Sequence, residues 1–237
     1  MIRFYAPDIA TTHTLPESDS GHAVRVLRMR AGDELQVVDG QGHVYTCRLM
    51  DENHHHATVD IVGVTDEPPV WPYNLTVMVA PTKNIDRMEW LVEKLVEVGV
   101  NTFIPVRCQR SERKDIKLER LEKIAVSAMK QSLKAVLPDV RPMTPLREAL
   151  ADVSAAQKFM GYCNDSVERR LLATELKPAL DTAILIGPEG DFSPDEVQAA
   201  IQAGYIPVTM GDNRLRTETA ALVSAVTVHV INQANSR

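Results

Sequence analysis

The spacing of apolar residues along this chain changes near residue 70. Before that point the apolar runs are short. Leu35-Gln36-Val37-Val38 leads into Asp39-Gly40-Gln41-Gly42, a hairpin turn signal, and Val44 to Met50 and Ala57 to Val64 follow with strand composition. One short helix is expected around His22 to Arg28. Asp66-Glu67-Pro68-Pro69-Val70-Trp71-Pro72 then breaks regular structure, because proline fixes φ and removes a backbone donor. This cluster reads as a linker. A β-rich domain is therefore expected over residues 1–70 and a second domain over residues 71–237.

Downstream, apolar runs alternate with helical periodicity. Leu75 to Ala80, Phe159 to Cys163 and Ala183 to Ile186 have the apolarity of buried strands, and Thr102 to Val106 and Ile206 to Thr209 are further strands. Asp86 to Val98 places Met88, Leu91, Val92 and Leu95 on one helical face, with Asp86 as N-cap, Glu89 completing a capping box and Gly99 as the stop. Lys117 to Ala135 reads as a long basic helix ending before Pro138. Ser193-Pro194-Asp195-Glu196 opens a helix with a cap, Pro at the first position and Glu at the third, and Gly204 ends it. Thr217 to Ala234 is the final helix. This alternation predicts an α/β domain with a mostly parallel sheet and helices on both faces.

Composition narrows the picture. With 44% hydrophobic residues and 5% aromatics over 237 positions, the chain can build a substantial, mostly aliphatic core. No apolar run is long enough to predict a membrane span, and MIRFYAPDIA lacks the charged-then-apolar order of a signal peptide. Cys47, Cys108 and Cys163 lie far apart, which disfavours a disulfide framework or a zinc site and fits a reducing cytoplasm. His54-His55-His56 do not share a face, so they read as a strand-to-strand turn and no metal is expected. The net charge of −6 hides an uneven distribution: residues 107–147 carry 11 Lys and Arg against 5 Asp and Glu. Such a stretch is either a solvated helix face or a phosphate-binding patch.

Ligands of parallel α/β sheets bind beyond the carboxyl ends of the strands. Two candidate loops stand there. Ile186-Gly187-Pro188-Glu189-Gly190-Asp191-Phe192-Ser193 follows a strand and opens a helix, with glycines that let a ligand approach the backbone. Met210-Gly211-Asp212-Asn213-Arg214-Leu215-Arg216-Thr217-Glu218-Thr219-Ala220 does the same, with Thr217 able to cap the helix and Arg216 and Glu218 at the junction. Each loop alone also reads as an ordinary turn, or as a salt bridge plus a cap. Cys163 at a strand end reads as a small buried hydrophobe, or as a wall of the same pocket. Neither GxGxxG nor GxxxxGK[ST] occurs in these loops, which disfavours a dinucleotide or NTP site.

Together, Ile186 to Ser193 and Leu215 to Ala220 resemble the two cofactor motifs of the SPOUT methyltransferases, and most of all the RsmE-type 16S rRNA (uridine-N3) methyltransferases. His22-Ala23-Val24-Arg25-Val26-Leu27-Arg28 with Gly32-Asp33 is similar to that family's amino-terminal signature. Lys83, Glu93-Lys94 and Glu97-Val98-Gly99 resemble its second block, and Arg110-Ser111-Glu112-Arg113 with Lys130-Gln131-Ser132 its third. The resemblance runs in order over nearly the whole chain. It implies a small PUA-like β-barrel RNA-binding domain over 1–70 and a SPOUT-like methyltransferase domain over 71–237 with a C-terminal trefoil knot. It also implies a homodimer, 16S rRNA or the small ribosomal subunit as partner, and position 1498 of that RNA as target. Two positions depart from the family pattern: Asp191 stands where many relatives have Gly, and Lys134 where many have Arg.

Carried over residue by residue, the resemblance implies that S-adenosylmethionine (SAM) is held by Ile186, Gly187, Pro188, Glu189 and Gly190 on one side and by Met210, Gly211, Leu215, Arg216, Thr217 and Ala220 on the other. RNA contacts are expected from Arg25, Arg28, Lys83, Arg110, Arg113, Lys114, Lys130, Gln131, Ser132 and Lys134. The catalytic candidates are Arg216, to orient the base or stabilise its imide anion, and Glu218, to orient Arg216 or assist proton removal. Two other activities stay open at this stage: a non-catalytic RNA-binding assembly factor, and SAM-dependent methylation of another RNA.

Overall fold

The computed structural model describes residues 2–164 and 167–235. The chain forms two compact units. One contains the residues up to Trp71 together with Val126–Leu137, and the other contains Pro72–Ala125 and the residues from Pro138 onward.

In the first unit the elements are β1 (Arg3–Tyr5), α1 (Ile9–Thr12), α2 (Glu17–Gly21) and a π-helical turn at His22–Val26, then β2 (Glu34–Val38), β3 (His43–Leu49) and β4 (Val59–Asp66). The sheet order is β1-β2-β3-β4, parallel at the first pairing and antiparallel at the other two. The β2–β3 hairpin turns at Gly40 and Gly42, whose φ values of +81° and +101° suit glycine. The Asp39 carboxylate organises that turn, accepting from the Gln41 amide at 2.8 Å and meeting His43 Nδ1 at 2.6 Å. The core packs Phe4, Ile9, Leu15, Leu35, Val37, Cys47 and Leu49. The short helix expected over 22–28 is the π-helical turn that continues α2, and Arg28 just beyond it takes a left-handed φ of +56°.

The second unit contains β5 (Leu75–Val79), α3 (Ile85–Val98), β6 (Thr102–Arg107), the start of α4 (Leu118–Gln131), β7 (Asp139–Val140), β8 (Thr144–Pro145) and α5 (Leu146–Asp152). It continues with β9 (Gln157–Gly161), β10 (Arg170–Leu171), α6 (Leu172–Glu175), β11 (Thr182–Ile186), α7 (Pro194–Gln202), β12 (Ile206–Thr209) and α8 (Thr217–Ala234). The strand order is β10-β12-β9-β11-β5-β6-β7, with β8 also on β6, and each of these pairings is parallel. α5 and α7 pack on each other, while α3 and α8 pack together with α8 against β5 and β11. With layers on two faces, β11 is buried along its full length, which is why it reads as an unbroken apolar run. Among the described residues no helix is long and apolar enough to cross a membrane.

Local signals explain most boundaries, with two corrections. α7 carries the expected capping box between Ser193 and Glu196. α3 is capped by Asn84, whose side chain accepts from the Asp86 amide at 3.0 Å; Asp86 instead sits in the first turn, where the helix dipole favours its charge. α4 stops at Gln131 rather than Ala135. Ser132 Oγ bonds back to the Ala128 carbonyl at 2.7 Å, Leu133 adopts φ +54°, and the Lys134 amide closes on the Met129 carbonyl at 3.0 Å. No glycine marks that stop. The freed residues join the hairpin of the first unit, where the Leu137 amide donates to the Gly40 carbonyl at 2.8 Å and the Gly42 amide to Ala135 at 3.1 Å.

The same unit holds a buried ion pair. Asp19, almost fully buried, accepts from Lys130 Nζ at 2.7 Å and from the Tyr5 amide at 2.7 Å. Removing one partner of such a pair strands the other charge in a poorly solvated place. Lys130→Met is therefore expected to lower unfolding free energy by about 2 kcal/mol in urea denaturation. A change near zero would show that water solvates Asp19 from elsewhere.

Candidate active site

β12, β9 and β11 lie side by side and parallel, so their carboxyl ends share one edge of the sheet. Gly161 pairs in register with Ile186 on one side and with Val208 on the other. The three following loops therefore start at one level, and they enclose a single cleft of about 960 Å³. Its walls include Gly161 to Asn164, Arg169, Ile186 to Asp191, and Val208 to Thr217, with Ala220 one turn into α8. Every residue expected at the cofactor, from Ile186, Gly187, Pro188, Glu189 and Gly190 to Met210, Gly211, Leu215, Arg216, Thr217 and Ala220, lines this cleft.

The glycines stand where the chains come closest. A Cβ on Gly187 would lie 2.8 Å from the buried Phe192 ring, and one on Gly161 would lie 2.7 Å from Ile186 Cδ1 and 3.3 Å from Met210 Cε. Asp191 occupies φ +59°, a conformation glycine reaches freely and aspartate tolerates better than most residues. Its Oδ1 accepts from the Phe192 amide at 2.9 Å, so the departure from glycine carries its own local hydrogen bond. Thr217 does not cap α8 with its side chain. Its hydroxyl donates instead to the Gly187 carbonyl at 3.3 Å and joins the two loops directly.

A second layer holds the first loop. Arg110 Nη1 donates to the carbonyls of Gly190 at 3.0 Å and Phe192 at 3.2 Å, and the Gln109 amide donates to Glu196 at 2.6 Å. Arg113 donates to the carbonyls of Thr82 at 3.2 Å and Lys83 at 2.7 Å. Lys83 pairs with Glu112 at 3.3 Å. Of the residues expected to contact RNA, then, Arg110, Arg113 and Lys130 hold protein groups, and Ser132 bonds to its own helix. Arg25, Arg28, Lys83, Lys114 and Gln131 are exposed, and Lys134 is half-buried.

Arg216 is exposed at the cleft. Glu218 is buried and faces Arg87 of α3, with Arg87 Nε 3.7 Å from its Oε1. Sequence reasoning missed Arg87, Arg169 and Arg214; the last two line the cleft and belong to no expected set. Cys163 is exposed at the cleft wall rather than buried. Partial desolvation there, followed by the nearby Asp191 carboxylate, pushes its thiol pKa up. Among the described residues no group of three His, Cys, Asp or Glu could hold a metal ion.

A parallel sheet with glycine-bearing loops converging at one strand edge defines a small-molecule site on an α/β domain. A family model described as an RNA methyltransferase domain matches residues 69–229, and one described as an RNA methyltransferase PUA domain matches residues 15–62. The chain belongs to this RNA methyltransferase family. It is 43% identical to a solved "probable rRNA-methyltransferase" from Porphyromonas gingivalis, with 99% of each chain covered and a TM-score of 0.94. It is 30% identical to the ribosomal RNA small subunit methyltransferase E of Neisseria gonorrhoeae solved with S-adenosyl methionine, covering 98% of each chain with a TM-score of 0.85. The protein of the same name from Mycobacterium bovis is 29% identical over 234 residues, 95% of this chain and 88% of its own.

Because the Gly187 Cβ position is filled by the Phe192 ring, Gly187→Ala is expected to lower unfolding free energy by about 1–3 kcal/mol through overpacking. Urea denaturation checks this, and wild-type stability would mean that the ring moves aside without strain.

Proposed function

We propose that this protein transfers a methyl group from SAM to N3 of a uridine in 16S rRNA. The observation that carries the reading is the meeting of loops 186–191 and 208–217 in one cleft, tied by the Thr217–Gly187 hydrogen bond, in a chain of the RNA methyltransferase family. The similarity to the Neisseria gonorrhoeae enzyme solved with S-adenosyl methionine supports the cofactor.

The residues present fit SAM. Ile186, Met210, Leu215 and Ala220 offer an apolar wall to an adenine, and the backbones of Gly187, Pro188, Gly190, Gly211 and Thr217 offer polar groups at close range. The first loop carries carboxylates, Glu189 and Asp191, which favour a ligand bearing sulfonium and ammonium charges. The second loop carries Arg214 and Arg216, which favour an anionic substrate.

SAM, when bound, supplies a methyl group already activated on sulfur. The chain's part is orientation and charge. Uridine N3 is an imide nitrogen that becomes nucleophilic once its proton leaves. Arg216 at the cleft orients the base and stabilises the imide anion. Alignment of nucleophile and methyl supplies much of the rate. Methylation at nitrogen needs no covalent cysteine step, and desolvation pushes the thiol of Cys163, the cysteine lining the cleft, up.

RNA phosphates meet the exposed cations, Lys83 and Lys114 in the second unit and Arg25 and Arg28 in the first, together with Lys134, while Gln131 and Ser132 are weaker candidates for contacting the target base; Arg110 and Arg113 act by holding backbone carbonyls of their own unit, and Lys130 by pairing with Asp19. A paired target uridine must leave its stack to enter the cleft. The reading includes the trefoil knot and the homodimer that the family resemblance implies, and the cytoplasmic setting that the scattered cysteines fit.

Arg216→Ala is expected to abolish methylation while SAM binding by calorimetry stays within about threefold of wild type, the split expected of a group acting in the transition state. Near-normal turnover would remove Arg216 from the mechanism. Mass spectrometry of 16S rRNA from a deletion strain, with and without the restored gene, tests the substrate: unchanged uridine-N3 methylation would overturn it. A protein that binds RNA but gives no heat with SAM would instead be an assembly factor. RNA affinity is expected to fall by roughly tenfold or more between about 50 and 200 mM salt. A flat profile would exclude phosphate contacts as its source.

A further inference from the structure

Arg87 stands in the first turn of α3, outside the walls of the cleft. Its guanidinium lies 3.8 Å from the Glu189 carboxylate and 3.7 Å from that of Glu218. Glu189 belongs to the first cofactor loop and lines the cleft. Glu218 belongs to the first turn of α8, is 6% exposed, and its second oxygen, Oε2, is buried without a hydrogen-bond donor. Two carboxylates from the two loops thus share one cation carried on a third element.

The arrangement has a physical logic. A carboxylate in the first turn of a helix gains from the helix dipole, but burial removes its water. With Oε2 lacking a donor, the buried Glu218 carboxylate has the Arg87 guanidinium, 3.7 Å from its Oε1, as its compensating charge. Without that cation, Glu189 and Glu218 would be like charges on adjoining loops, and the exposed loop is the one free to move away. Arg110 holds the same loop from its other side through the Gly190 and Phe192 carbonyls, so release at Arg87 frees one flank only. A guanidinium suits the task because its planar fork presents donors to two carboxylates, whereas an ammonium is a point charge.

We propose that Arg87 is a positioning residue for methyl transfer, fixing loop 187–191 against the first turn of α8 through a shared Glu189–Arg87–Glu218 charge bridge. The inference rests on the reading of this cleft as the SAM site. Its signature is a selective loss of SAM affinity, since Arg87 touches neither the base nor the reacting atoms.

The test uses the full-length protein with Arg87→Met, Arg87→Lys, Glu218→Gln, and Arg87→Met combined with Glu218→Gln. Arg87→Met is expected to raise the KM and calorimetric Kd for SAM about tenfold, with kcat at saturating SAM and KM for RNA within about twofold of wild type. Arg87→Lys is expected to recover part of the loss. The double variant, which removes the stranded buried charge but leaves Glu189 without its tether, is expected to recover only part of it. A SAM affinity unchanged in Arg87→Met, a loss confined to kcat, or a double variant no better than Arg87→Met would each overturn the proposal. If Arg87→Met does not fold, the double variant decides: a folded protein that binds SAM supports the bridge, and an unfolded one overturns it. If wild type itself binds no SAM, the cofactor reading fails, and the bridge is judged by urea denaturation of the same variants. Non-additive Arg87 and Glu218 effects then support it, and additive ones overturn it.

Discussion

The site depends on the adjacency of three parallel strands. β9 lies between β11 and β12, and Gly161 at its end pairs with Ile186 on one flank and Val208 on the other. Parallel strands deliver their carboxyl ends to the same edge, so loops distant in sequence leave the sheet at one height. The absence of a side chain at Gly161 lets Ile186 and Met210 approach across it. Thr217 then ties the second loop to the first at the Gly187 carbonyl. The cleft is thus a product of strand order, completed by a hydroxyl and two missing side chains.

Much of this was legible before the fold was known. Continuous apolar runs marked β5 and β11, which are buried along nearly their full length, and the Ser193–Glu196 capping box placed the start of α7. Glycine positions and the family resemblance together pointed to both loops. What escaped was tertiary. The α3 cap fell to Asn84 rather than Asp86 because the asparagine side chain reaches the Asp86 amide, a geometry that spacing alone does not fix. α4 ended early without a glycine, at an exposed leucine in the left-handed conformation. α5, β7, β8 and β10 are too short for a period to emerge.

Charge was the least readable property. The basic stretch over 107–147 suggested a phosphate surface, yet several of its cations hold carbonyls and carboxylates of this same chain. Sequence reports how many charges a segment carries, and only the fold reports which are already engaged. The same holds for Glu218. Arg216 lies two residues before it in sequence, but its carboxylate meets Arg87, some 130 residues earlier in the chain. Charged residues around the cleft thus divide into those that face solvent and those that brace loops from behind.

The first unit is assembled from two pieces of chain, because Val126–Leu137 packs with residues that end at Trp71. A fragment cut at the proline-rich linker would lack the segment that runs along the β2–β3 hairpin and the ammonium that neutralises Asp19. During synthesis, that unit cannot close until Pro72–Ala125 of the second unit and the segment Val126–Leu137 have left the ribosome. Its folding therefore carries the loop-closure entropy of more than fifty intervening residues. The amino-terminal unit begins first on the ribosome, yet it is finished only by sequence that arrives much later.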